Sequence, residues 1–135
     1  MAQMKFNHYR SVLVLEGLWE QLEAAAELLR RIPEQPTTRE LARARLIACR
    51  LRICELTGQP RKYLSEYEQV RAMLLIDLSE IADLLGCAQG EPSNEWFAIV
   101  YQAQDAVLGA LHNIRMLEST NIRATHATEP SVAVG

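Results

Sequence analysis

The chain has 135 residues, 49% of them hydrophobic, and a formal net charge of −3. That size and composition describe one globular domain able to bury a core, and they exclude a wholly disordered chain. The negative balance gives no chain-wide attraction for phosphate backbones or anionic lipid, and the longest apolar runs are too short for a membrane span.

Ala, Leu, Glu, Arg and Gln dominate, all good helix formers, and no alternating run of Val, Ile, Thr or aromatic residues signals a strand. The first helix is expected over about 8–31, with Asn7 as N-cap. Val12, Leu15, Trp19, Leu22, Ala26 and Leu29 recur at three- and four-residue steps and mark its core face. Arg30 and Arg31 suit the negative end of its dipole, and Pro33 and Pro36 stop it.

The second helix is expected over 38–57. Thr37-Thr38-Arg39-Glu40 reads as a capping box, with the Thr37 hydroxyl on the Glu40 N–H. Gly58 suits a left-handed helix end and Pro60 forbids continuation. A third helix over 61–85 carries Leu64, Tyr67, Val70, Leu74, Leu78, Ile81 and Leu85 on one stripe and ends at Gly86. Ser93 is the N-cap expected for a fourth helix over 94–118, with Trp96, Val100, Ala103, Val107, Ala110, Leu111 and Ile114 as its core face. Periodicity then stops, so 121–135 is expected to be a flexible, disordered C-terminal tail behind an α-helical domain of 1–120. Helices of this length with short connections predict an all-α, antiparallel four-helix bundle-like fold.

Charge adds a second pattern. Glu16, Glu20, Glu23 and Glu27 form one narrow stripe of the first helix, and Arg39, Arg43 and Arg50 form another on the second. In an antiparallel hairpin, facing residues have numbers with a constant sum. Glu27 with Arg39, Glu23 with Arg43 and Glu16 with Arg50 share one sum, which predicts a charged seam that sets the register. The same stripes are also candidate surfaces for a partner of opposite charge.

The second helix is apolar on two sides. Leu46, Cys49, Ile53 and Leu56 lie on one, and Ala44, Ile47, Ala48, Leu51 and Cys54 on another. Arg39, Arg43 and Arg50 separate them on one flank, Arg45 and Arg52 on the other. One side serves the core. The other predicts a homodimer contact through Ile47, Leu51 and Cys54, since a two-fold axis lets one patch meet itself. The arginines keep nucleic acid as a less favoured partner. A helix-turn-helix needs a short helix and a tight turn, and here the pattern runs unbroken from Thr38 to Thr57.

Site chemistry is sparse. The cysteines number three, an odd count that with their helical setting predicts a reducing, cytoplasmic environment. Cys49 and Cys54 stand five apart, a poor ligand spacing, and are expected to be small buried hydrophobes. His8, His112 and His126 are scattered. Asp77, Glu80 and Asp83 could gather carboxylates, but no Glu-x-x-His accompanies them as a di-iron bundle requires. No Gly-rich phosphate loop or Gly-x-Ser-x-Gly elbow occurs. Phe97, Tyr101 and Leu108 share the side of the fourth helix next to its core stripe, either as core edge or as an exposed contact patch.

No catalytic, cofactor or metal residues are therefore expected. The reading is a non-enzymatic protein-interaction module: an adaptor, an assembly or chaperone-like factor, or a protein inhibitor. Its candidate surfaces are Glu16, Glu20, Glu23 and Glu27 together with Arg39, Arg43, Arg45, Arg50 and Arg52. The alternative is a nucleic-acid-associated regulator or small ribonucleoprotein subunit using the arginine-rich second helix.

Overall fold

The structure is a computed structural model describing residues 2–65 and 67–134, with the side chains of residues 9–65 and 67–117. Among the described residues the chain forms five helices and no strand: α1 (Ala2–Arg31), α2 (Thr38–Gly58), α3 (Pro60–Tyr63), α4 (Glu68–Gly86) and α5 (Asn94–Val134). α1 begins at Ala2, so Asn7 lies within the helix and is not its N-cap; the side chains of the tail expected at 121–135 lie outside those described.

The four long helices close a ring in which α1 and α4 each pack against both α2 and α5. Neighbours run antiparallel. Thr38 at the start of α2 reaches the Leu28 carbonyl near the end of α1, while Arg10 near the start of α1 donates to the Lys62 carbonyl beyond the end of α2. Arg30 meets Tyr101 and Glu16 meets Arg115, so α5 descends as α1 rises. The core follows the predicted stripes with local exceptions: Leu18 and Ala25 are buried in addition, Val12 and Trp19 are only half-buried, and Tyr67 is exposed. Leu15, Leu18, Leu22 and Leu29 of α1 meet Leu46, Ile53 and Leu56 of α2, with Leu74, Leu78 and Ile81 of α4 and Val100, Val107 and Ile114 of α5. Each such side chain contributes roughly 1.5–3 kcal/mol when fully buried.

Three further local expectations are corrected. The helix expected over 61–85 is broken. Pro60–Tyr63 makes one turn, Leu64 is extended (φ −108°, ψ −176°), and α4 begins at Glu68. Leu64 and Ser65 are both buried at the break, and the Ser65 hydroxyl accepts the Tyr67 N–H at 3.1 Å. The apolar stripe hides this break, because Leu64 reaches the core from extended backbone as readily as from helix. The capping box at Thr37 does not form. Thr37 has helical dihedrals and no side-chain cap bond, and Glu40 pairs with Arg43 instead. Thr38 does not replace it as a cap: it is buried, and its hydroxyl donates toward the Gln35 carbonyl at 2.8 Å and that of Leu28 at 3.1 Å, tying the start of α2 to the end of α1. Gly58 is the last residue of α2 and is not left-handed. Among the described residues the positive φ belongs to Gly90 (77°), in the turn between α4 and α5.

The Ser65 contact is expected to matter for stability. Ser65→Ala leaves a backbone donor at the break without its side-chain acceptor and should lower unfolding free energy by about 1 kcal/mol in chemical denaturation. Leu78→Ala, which empties a fully buried site, should cost roughly 2–5 kcal/mol by the same measurement.

Candidate interaction surface

A ring of four helices asks each member for one inward face. α2 meets that need with Leu46, Cys49, Ile53 and Leu56, all buried. Its other apolar side faces outward: Leu41, Ile47 and Leu51 are 56%, 53% and 63% exposed, and Ala44, Ala48 and Cys54 are exposed among them. These residues follow three- and four-residue steps, so they form a continuous row along the outside of the helix. Cys54 lies on this row as its position predicts, but it is exposed and not the small buried hydrophobe expected of both helical cysteines; a five-residue step carries it well away from the buried Cys49.

The arginines border the row on both flanks. On the α4 side, Arg43 pairs with Glu40, donates to the Gly90 carbonyl at 3.1 Å and stands 3.5 Å from Glu91. Arg50 lies across the end of α4, where a Cβ on Gly86 would stand 3.0 Å from its Nη2. On the α1 side, Arg52 pairs with Glu55 at 3.2 Å and lies 4.9 Å from the Tyr63 ring centre, with the Lys62 ammonium 5.1 Å from the same ring. Arg39 and Arg45 are exposed.

The charged seam between α1 and α2 is not formed among the described residues: the antiparallel pairing brings Thr38 to Leu28, in keeping with the expected register, but the two charged stripes do not face each other. The acidic stripe of α1 turns toward α5. Glu23 accepts from the buried Gln104 amide at 2.9 Å, Arg30 joins Glu23 and Glu27, and Glu16 lies 3.8 Å from Arg115. Glu20 is exposed. The Gln104 bond holds the Glu23 carboxyl below its ordinary pKa, and Arg30 adds to the effect. Arg30 also donates to the Tyr101 hydroxyl at 2.9 Å, which raises its own pKa. The glutamate and arginine stripes thus occupy opposite flanks of the α1–α2 pair. Phe97 and Tyr101 are stacked at 6.1 Å, with Phe97 half-buried and Tyr101 and Leu108 exposed.

Between α1 and α2 lies a groove of about 260 Å³ lined by Leu13, Val14, Gly17, Leu18, Gln21 and Arg52. Leu13 is 49% exposed, and a Cβ built on Gly17 would meet nothing within 4 Å. The Gln21 Oε1 is buried with no hydrogen-bond partner. Sequence reasoning passed over this groove. Its one signal is a glycine inside a strongly helical run, flanked by apolar residues off the core stripe.

The remaining reactive groups separate by burial. Burial pushes the Cys49 thiol up to about 12, which makes it inert, while Cys54 and Cys87 are exposed. Of the four carboxylates on α4, Glu68, Glu80 and Asp83 are exposed, and Asp77 is half-buried with Oδ2 unpartnered. Desolvation, with Glu80 adding to it, raises the Asp77 pKa. Among the described residues no group of three His, Cys, Asp or Glu gathers to hold a metal ion, and no helix is long and apolar enough to cross a membrane.

No family model, curated protein or solved structure matches the chain.

Two outcomes follow from this geometry. A carboxyl with a raised folded pKa binds its proton more readily in the native state, so its contribution to stability grows on acidification and is lost as pH rises through that pKa. Asp77→Asn should therefore be more stable than wild type at neutral pH, with the difference shrinking as pH falls into the carboxylate range. Denaturation at several pH values reads this directly, and comparison with wild type cancels the opposite trend of Glu23. Gly17→Ala, a better helix former in open space, should raise stability by about 0.5–1 kcal/mol.

Proposed function

We propose that the protein is a non-enzymatic protein-interaction module, an adaptor, assembly or chaperone-like factor or inhibitor, acting through its helical surfaces. The observation that carries this reading is the outward row of α2. Leu41, Ile47 and Leu51 stand in water on the side opposite the core, and soluble monomers seldom leave so continuous an apolar row uncovered. A second copy is the first occupant to test. A two-fold axis would bring Ile47, Leu51 and Cys54 of both copies together, with the arginines at the rim where they remain solvated. Free thiols at Cys54 and Cys87 suit a reducing, cytoplasmic setting.

A nucleic-acid-associated role draws on Arg39 and Arg45, exposed and outside every ion pair among the described residues. Its mark would be a steep fall in oligonucleotide affinity with salt. The apolar row between the arginine flanks favours a protein.

Sedimentation at concentrations on the order of tens of micromolar, within the range of weak specific association, tests the dimer. Wild type should sediment as a dimer, and Leu51→Glu as a folded monomer, since an exposed position tolerates charge. A monomeric wild type overturns the second copy as occupant.

A further inference from the structure

We propose that the groove between α1 and α2 receives a bulky apolar side chain from an acidic amphipathic segment of a partner protein. This rests on the protein-interaction reading and gives the partner its chemistry. The floor is apolar, formed by Val14 and Leu18 with Leu13 at its edge, and Gly17 leaves open the space that a side chain would fill. At about 260 Å³ the groove falls below the roughly 300–1,000 Å³ of small-molecule sites and suits one inserted side chain. The rim is positive. Arg52 and Lys62 share the Tyr63 ring, Arg10 is hydrogen-bonded to the Lys62 carbonyl, and Arg45 stands two turns before Arg52 with no ion pair among the described residues. Glu20 is exposed one turn beyond Gly17 on α1, and a second carboxylate, Glu55, sits among the cations. It is already engaged by the Tyr63 hydroxyl at 2.6 Å and by Arg52, which hold its pKa below the ordinary value. The surplus charge calls for carboxylates on the occupant. The unpartnered Gln21 Oε1 offers an acceptor for a backbone or indole N–H. An amphipathic helix supplies this combination, with apolar anchors at three- and four-residue steps and acidic residues beside them.

Panning a random peptide display library against the full-length protein tests the proposal, with enriched peptides then titrated by fluorescence anisotropy. The enriched sequences should carry net negative charge around bulky apolar residues. Their affinity should fall about tenfold or more in Gly17→Leu, which fills the groove, and in the double variant Arg45→Glu with Arg52→Glu, which reverses the rim. Ile76→Ser, at an exposed position of α4 that belongs to neither surface, should leave their affinity unchanged. Circular dichroism checks that each variant remains helical, and the rim variant decides the matter if Gly17→Leu does not fold. The proposal is overturned if no peptide is enriched, if enriched peptides are basic or neutral, or if binding ignores both the groove and rim variants. Peptide binding lost only in Leu51→Glu, or a Leu51-dependent dimer that enriches no peptide, overturns the groove and leaves the interaction reading standing.

Discussion

The fold depends on the antiparallel seam between α1 and α5. Leu15, Leu18, Leu22 and Leu29 are removed from water there against Val100, Val107 and Ile114, and the Glu23–Gln104 hydrogen bond fixes the two helices lengthwise beside them. A charge-assisted bond to a buried amide is directional in a way that apolar contact is not. Once the acidic stripe of α1 is committed to α5, the opposite flank of α1 must take α2. Arg43 and Arg50 are then left to the end of α4 and Arg39 to solvent, while Arg52 stays on the α1 side. The ring order, the direction of each helix and the outward row of α2 all follow from that commitment.

Apolar periodicity reported burial well, because burial is what it encodes. The core face of α5 was readable residue by residue, as were most of the core positions and the second side of α2, while on α1 the three- and four-residue steps named the half-buried Val12 and Trp19 and passed over the buried Leu18 and Ala25. Charge periodicity carried less. A helix in a ring has two flanking neighbours, and the spacing of Glu16, Glu23 and Glu27 says that they share a side without saying which neighbour that side meets. The constant-sum pairing with Arg39, Arg43 and Arg50 satisfied one hairpin but ignored Gln104 and Arg115, more than seventy residues further on. The break at Leu64 was present in the sequence as Ser65-x-x-Glu68, the spacing of a capping box, but the unbroken apolar stripe masked it. The groove was the least legible feature. It is a space between two helices, and a lone Gly17 is a faint trace of it.

The two candidate surfaces differ physically. The α2 row is convex and apolar with solvated arginines at its edges, so affinity there would come from area removed from water. The groove is concave and small, with positive charge concentrated around Tyr63, so it would favour one shape and one sign of charge. A glycine at its floor gives up helix stability without permitting any close contact in return. On the proposed reading, the row would suit extensive contact and the groove selectivity.

The arginines of α2 have a further consequence for local opening of the fold. α4 has no basic residue in its last turn, so nothing of its own offsets the negative end of its dipole. Arg50, lying against Gly86, and Arg43, donating to the Gly90 carbonyl, bring positive charge to that end from a neighbouring helix. The last turn of α4 and the turn carrying Gly90 are therefore coupled electrostatically to α2. Fraying that withdraws α2 would expose the α4 terminus at the same time, so amide protons in the two segments should exchange together although more than thirty residues separate them in sequence.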